Sequence, residues 1–314
     1  MAIHTILGAN GTIANELIPI LQSNGQQIRL VSRNPKKVAG AELMQADILD
    51  REAVIRAVNG SDIVYLLVGL KYDIRIWRTD WPVIMRNTID ACKAAGARLI
   101  FFDNVYMYGL VKGKMTESTP FNPNSKKGLV RAEIDNMLIK EINAGSLKAI
   151  IAKSADFYGP RAAATSVAGV LVFDKMKKNK TAQWFVNSNQ PHSFTYTPDA
   201  ARALYILAGA ENAYGQTWHL PTAKPAITGK EFVTIAAKYM NGRAKLQTLP
   251  KWLIRVTGWF VPVMKELGEM IYQNEYAYEF DSSKFEKAFQ FNPTPYEEGI
   301  RQTAAWWLET TTAG

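Results

Sequence analysis

The stretch Ile3-His4-Thr5-Ile6-Leu7-Gly8-Ala9-Asn10-Gly11-Thr12-Ile13-Ala14-Asn15-Glu16-Leu17-Ile18 decides the fold. Ile3, Ile6 and Leu7 read as a short buried strand, and Ile13, Ala14, Leu17, Ile18 and Leu21 then recur at the spacing of one helix face. Between them lies a turn punctuated by Gly8 and Gly11. A glycine turn from strand to helix is what a dinucleotide pyrophosphate needs. Glycine lets the backbone approach the phosphates, and the N–H groups opening the helix attract negative charge. In that position Gly8, Asn10, Gly11, Thr12 and Ile13 become candidate cofactor contacts. Pro19 inside the helical pattern predicts a kink and not an end.

Working outward, Gln27 to Ser32 reads as a second strand, followed by Arg33-Asn34-Pro35-Lys36-Lys37. In this arrangement the tip of the second strand meets the adenosine ribose; an acid there binds the free 2′-hydroxyl of NAD, a cation the 2′-phosphate of NADP. Ser32 and Arg33 occupy the tip without a carboxylate, and a guanidinium donates two parallel bonds to a phosphate. The reading is NADP, with NAD second. Leu43 to Asp50 reads as a third strand that brings Asp47 and Ile48 to the adenine. A helix to about Val58 follows, then a fourth strand from Asp62 to Val68 running into Gly69-Leu70-Lys71. A helix from Val83 to Ala95 and a fifth strand from Arg98 to Asp103 complete the alternation. Strand and helix alternating at this spacing predict an α/β fold, a doubly wound parallel sheet of Rossmann type.

Bulk properties set the class. The chain has 314 residues, 47% hydrophobic and 21% charged, with a net charge of +9. No apolar run reaches membrane-spanning length, and the first strand begins too early for a signal peptide, so the expectation is a cytoplasmic protein with no membrane partner. One cysteine, Cys92, excludes an intramolecular disulfide, and with His4, His192 and His219 it shows no metal-ligand spacing. The basic residues are dispersed and carry no nucleic-acid-binding signature, so the partner expected is a small-molecule substrate.

Further motifs extend the reading over nearly the whole chain: Gly8-x-x-Gly11-x-x-Ala14, Ala46-Asp47-Ile48-Leu49-Asp50, Val68-Gly69-Leu70-Lys71, Tyr108-Gly109, Tyr158-Gly159-Pro160 and Tyr196-Thr197-Pro198-Asp199. The tail adds Asp281-Ser282-Ser283-Lys284, Pro293-Thr294-Pro295-Tyr296-Glu297-Glu298-Gly299-Ile300 and Trp306-Trp307. In these the chain resembles the extended short-chain dehydrogenase/reductases, the NAD-dependent epimerase/dehydratase group typified by UDP-galactose 4-epimerase. The resemblance implies a nicotinamide cofactor touching Val68, Gly69, Lys71 and Ala155, with Asp156 and His192 facing substrate. It also implies a Rossmann domain over 1–160, rejoined by 190–220, with a smaller C-terminal substrate lobe from 161–189 and 221–314.

The family's chemistry uses a tyrosine with a lysine four residues later, on one helix face, and a serine or threonine upstream. The cation favours phenolate, so the tyrosine exchanges a proton with the substrate while the cofactor exchanges a hydride. This chain replaces all three. Asn104 stands for the serine, Lys127 for the tyrosine and Arg131 for the lysine. The helix around them is well marked, with Ser125 as N-cap and a stripe of Val130, Ile134, Met137, Leu138 and Ile142. Arg131 can hydrogen-bond the nicotinamide ribose, and Asn104 can donate an N–H. For the proton donor the candidates are Tyr106, then Lys127, then water or no acid at all, with a packed aromatic as the alternative for Tyr106. At His192 the resemblance implies an arginine that holds a substrate diphosphate; a histidine is a poorer clamp.

Asp199, in the first turn of a helix opened by Thr197 and Pro198, reads as structural. The apolar stretch Lys251 to Tyr272, broken by Gly258 and Pro262, reads as an apolar substrate wall, a subunit contact of a homodimer, or an internal helical core. Two functions follow: an NADP(H)-dependent oxidoreductase or epimerase/dehydratase-like enzyme acting on a hydroxyl or carbonyl carbon, or a non-catalytic NADP-binding redox sensor.

Overall fold

A computed structural model of the chain describes residues 2–162 and 165–310. Its central sheet has strands β1 (Ile3–Leu7), β2 (Gln27–Ser32), β3 (Ala41–Gln45), β4 (Ile63–Leu66), β5 (Arg98–Asp103), β6 (Ala149–Lys153) and β7 (Thr217–His219). They lie in the order β7-β6-β5-β4-β1-β2-β3. The pairs β1–β2, β1–β4, β2–β3, β4–β5 and β5–β6 are parallel. From β1 the chain winds outward to β3, then returns to the other side of β1 with β4. That reversal leaves a crevice at the C-terminal ends of β1 and β4, the place where open α/β sheets bind ligands. The Rossmann-type expectation is met.

The helices are α1 (Thr12–Ser23), α2 (Arg51–Val58), α3 (Ile74–Ala95), α4 (Lys126–Asn143) and α5 (Thr197–Gly209). α1 buries Ile13, Ala14, Leu17, Ile18 and Leu21, the stripe its spacing predicts, and runs unbroken through Pro19. α4 buries Val130, Ile134 and Leu138, with Met137 and Ile142 packed beside them. Ser125 stands immediately before its first residue.

Two boundaries differ from the sequence reading. β3 stops at Gln45, and Asp47 to Asp50 form a turn in which Asp47 accepts from Leu49 N at 3.0 Å. Asp50 then caps α2 by accepting from Ala53 N. Short polar side chains there compete with the ladder for backbone donors, which ends the strand. α3 begins at Ile74, nine residues before Val83, because Asp73 caps it and Pro82 is tolerated inside it.

By contact density the chain divides into two units. The first takes Met1–Met107, Lys126–Lys153 and Ala201–Trp218; the second takes Tyr108–Ser125, Ser154–Ala200 and His219–Gly314. The second is built on short pairings, Asp156–Tyr158 with Phe194–Tyr196 and Ala182–Phe185 with Leu246–Leu249. Its core gathers Tyr158, Phe173, Trp184, Phe194, Phe232, Tyr296 and Trp307. Asp199 is buried there and accepts from Thr294 N and Oγ1 at 2.6 and 2.8 Å, the structural role its position suggests. The stretch from Lys251 folds into helices Lys251–Thr257 and Pro262–Gly268. Trp252, Trp259 and Phe260 remain 65%, 83% and 80% exposed, so these three side chains do not join an internal core.

Candidate functional site

The crossover after β1 is shaped by close approach. Gly8 has φ +94°, and a Cβ there would stand 2.9 Å from the Leu67 carbonyl carbon and oxygen and the Val68 nitrogen. Only glycine lets the β1 turn lie against the end of β4. Gly11 is almost as tight, with Gly8 O 3.2 Å from the position of its missing Cβ. It stands at the N-cap of α1 and supplies no side-chain cap, so the positive end of that helix opens directly from the glycine turn.

Asn10 ties this turn to the segment after β2. Its Nδ2 donates to Asn34 O at 2.8 Å and to Ser32 Oγ at 3.3 Å, and its Oδ1 accepts from Lys36 N at 3.4 Å. Exposed Arg33 is therefore carried on a loop pinned at both sides. On the β3 side, Asn87 Nδ2 holds the carbonyls of Ile48 and Leu49 at 3.0 and 3.1 Å, which fixes the turn containing Asp47. Past β4, Val68 and Gly69 lead to Lys71, whose carbonyl accepts from Trp77 Nε1 at 3.0 Å. The glycine cradle, the uncapped helix start and the fixed β2 tip together fit a dinucleotide lying across β1 and β4. When bound, a nicotinamide dinucleotide supplies a hydride acceptor or donor.

At the ends of β5 and β6 the chain holds buried charges. Asp103 and Lys153 are register partners across the two strands, and Lys153 Nζ reaches Asp103 Oδ2 at 3.1 Å and Asp135 Oδ2 at shorter range. Arg131 lies 4.0 Å from the Trp81 ring centre and 4.6 Å from that of Trp77. Its Nη1 is 2.9 Å from Asp103 Oδ1, an ion-pair distance, yet outside hydrogen-bonding angles: both atoms, and Arg131 Nε, lack a hydrogen-bond partner among the described residues. Two carboxyl groups and two cations thus face one another out of water. Burial is the main force raising Asp135 above the usual carboxylate range, aided by Asp103 and opposed by Lys153. Arg131 is 7% exposed in its side chain, with the two indole rings packed against its guanidinium.

Asn104 Oδ1 accepts from Tyr106 N at 3.0 Å, which leaves Nδ2 as its donating end. Tyr106 stacks on Trp77 with ring centres 6.2 Å apart and planes at 13°. Lys127 is fully buried, with its ammonium 4.6 Å above the Tyr72 ring. The structure therefore brings Asn104, Tyr106, Lys127 and Arg131 into one neighbourhood of the first unit.

In the second unit Ala155 N donates to Thr195 Oγ1 at 3.1 Å. His192 is buried, its Nε2 is 2.9 Å from Asp156 Oδ2, and its ring stacks on Tyr278 at 4.3 Å. Asp156 and His192 thus answer each other as a pair.

Sequence reasoning missed Tyr72, Trp77, Trp81, Asp103, Asp135 and Lys153. A signal existed for three of them. Asp103 and Lys153 each end a strand after an apolar run, Leu99 to Phe102 and Ala149 to Ala152, where an unpaired charge is costly, and Asp135 stands four residues after Arg131 on one helix face.

Comparison with known proteins agrees with this architecture. The sequence model of the NAD dependent epimerase/dehydratase family matches residues 4–219. A curated relative, the Arabidopsis thaliana 3beta-hydroxysteroid-dehydrogenase/decarboxylase isoform 2, is 22% identical over 92% of this chain and 56% of its own length. A dTDP-glucose 4,6-dehydratase of Mycobacterium tuberculosis is 27% identical over 38% of this chain and 39% of its own. The chain spans about half the length, or less, of the curated relatives it matches. Among solved structures, the Thermus thermophilus UDP-glucose 4-epimerase complex with NAD superposes with a TM-score of 0.80 at 17% identity, covering 98% and 99% of the two chains. No helix among the described residues is long and apolar enough to cross a membrane.

Proposed function

The chain belongs to the NAD dependent epimerase/dehydratase family, and on that premise we propose that it is an NADP(H)-dependent enzyme moving a hydride to or from a hydroxyl- or carbonyl-bearing carbon of a small molecule. The observation that carries the reading is the Gly8 cradle at the β1/β4 crevice, with Arg33 held at the β2 tip by Asn10. Arg33 supports NADP over NAD because a guanidinium matches a 2′-phosphate and the segment Ser32 to Lys37 carries no acidic residue to take the 2′-hydroxyl. The first-turn amides of α1 receive the pyrophosphate, Asp47 and Ile48 flank the adenine, and Val68, Gly69, Lys71 and Arg131 bound the rest of the coenzyme. The pairing of His192 with Asp156 favours a substrate without a diphosphate at that position, since the ring is already committed to a carboxylate. A homodimer through the exposed Trp252, Trp259 and Phe260 belongs to the same reading.

A second reading, a redox sensor that binds NADP without turnover, draws on the replacement of the tyrosine by Lys127 and on the indoles that confine Arg131. Calorimetry with NADPH and NADH tests the coenzyme. NADPH should bind more tightly, and Arg33→Ala should weaken NADPH by about 10- to 100-fold while leaving NADH unchanged, the cost of a charge-assisted phosphate contact. Equal affinity for the two coenzymes in the unaltered protein would sink the NADP assignment. Incubation with sugars, ketones and aldehydes, read as coenzyme oxidation, separates enzyme from sensor.

A further inference from the structure

Where the family-type tyrosine is missing, the chain brings two other phenols together. Tyr72 follows the end of β4 and Tyr106 the end of β5, and their hydroxyls lie 3.5 Å apart. Trp77 locks both rings, edge-on to Tyr72 at 5.5 Å and 84°, flat against Tyr106 at 6.2 Å and 13°. The Lys127 ammonium sits over the Tyr72 ring, 4.6 Å from its centre. The phenols thus stand at the C-terminal ends of two neighbouring parallel strands, where ligands bind, and one of them has a buried cation against its face.

We propose that Tyr72 is the proton donor of the reaction, with Lys127 as the cation that favours its phenolate and Tyr106 as the relay that reprotonates it. The assignment rests on the coenzyme reading above. In the reductive direction the Tyr72 O–H bond breaks and its proton passes to the substrate carbonyl oxygen, which becomes a hydroxyl. The electron pair reaches the carbon as the hydride that the dinucleotide supplies. The phenolate then takes a proton from the Tyr106 hydroxyl, which takes one from water. In the oxidative direction the Tyr72 phenolate accepts the substrate's hydroxyl proton and passes it outward. The family pairs a cation and a phenol on one helix; here the cation stays on α4 and the phenol comes from the segment after β4. Among the described residues, the ionisable groups against Tyr72 include Lys127 from α4 and Tyr106 from the turn after β5. On its own segment Lys71 and Asp73 flank it, and Asp73 is taken by Arg75 at 2.7 Å.

The test is the pH titration of tyrosinate absorbance, with and without NADP⁺, beside calorimetric NADPH binding. NADP⁺ should pull one tyrosine's titration down by about one pH unit, as a second cation arrives near the phenol. Tyr72→Phe, which keeps the ring on Trp77, should abolish that step with NADPH affinity held within about twofold. Lys127→Met should move it up by about one unit; if that variant does not fold, Tyr72→Phe decides alone. A step that survives Tyr72→Phe, or that NADP⁺ leaves in place, overturns the assignment. Absence of NADPH uptake by the unaltered protein is a different result, which removes the coenzyme reading and this proposal with it.

Discussion

The turn after β1 and the ends of β5 and β6 lie in the same unit and solve opposite problems. At the first, side chains are removed: Gly8 and Gly11 give up Cβ atoms so that backbone can approach backbone. At the second, side chains are added, and Asp103, Arg131, Asp135 and Lys153 gather beside Trp77 and Trp81. The first region depends on empty space, the second on charge balance. Mutations that fill the one and unbalance the other should therefore fail in different ways, one by losing coenzyme and one by losing stability.

The largest effect is expected at Gly8. A Gly8→Val chain must place its Cβ against the Leu67 and Val68 backbone, 2.9 Å away, and also adopt φ +94° with a branched side chain. Backbone atoms cannot step aside as a flexible side chain can. NADPH affinity measured by calorimetry should fall about 100-fold or more. A Gly8→Val protein that binds NADPH like the original would show that the crevice is not the coenzyme site.

Next comes Lys153→Met. The side chain is fully buried and is the cation common to Asp103 and Asp135. Removing it leaves two carboxylates out of water with Arg131 alone to answer them, at a cost of about 3–5 kcal/mol. Urea denaturation should read that loss, and replacing Asp135 as well, in Lys153→Met/Asp135→Leu, should recover part of it because no uncompensated carboxylate then remains at that position. Equal stability of Lys153→Met and the original would mean that the charges are not coupled.

The two regions also differ in how far they could be read from sequence. The β1–α1 turn was legible because its signal is local: a strand, two glycines and a helical period within twenty consecutive positions, each constrained by backbone geometry. Arg33 followed from its place at a strand tip. The charge cluster draws on positions 103, 131, 135 and 153, which meet only when β5 and β6 pair and α4 packs across them. The stripe on α4 disclosed which face is buried and left unsaid that Arg131 and Asp135 go in with it. The early start of α3 was hidden for a related reason. Its cap, Asp73, lies in a polar stretch whose Trp77 and Trp81 find their partners only in the folded chain. Tyr72 was missed because nothing in its own neighbourhood distinguishes it from a loop tyrosine; the meaning comes from Lys127, on α4.

The smallest effects belong to protons, and they separate the regions by sign. His4 on β1 is held down to about 4, chiefly by burial and then by Arg98. The unfolded chain therefore binds more protons than the folded one between about pH 4 and the ordinary histidine range, and stability rises with pH across that window. Asp135 is shifted the other way. Its folded carboxyl keeps a proton that the unfolded chain has lost, so its contribution to stability falls as pH rises from the ordinary carboxylate range. Urea midpoints measured from pH 4 to pH 8 should follow the difference of these two slopes. His4→Gln, which retains a donor for the Tyr65 hydroxyl 3.0 Å from the ring, should remove about 3 kcal/mol of the rising limb. Asp135→Asn should remove the falling limb and leave the histidine slope exposed. If His4→Gln leaves the acid limb intact, the sheet's acid sensitivity resides elsewhere; if Asp135→Asn leaves the falling limb intact, the carboxylate beside Lys153 is ionised throughout and the cluster carries a full pair of negative charges.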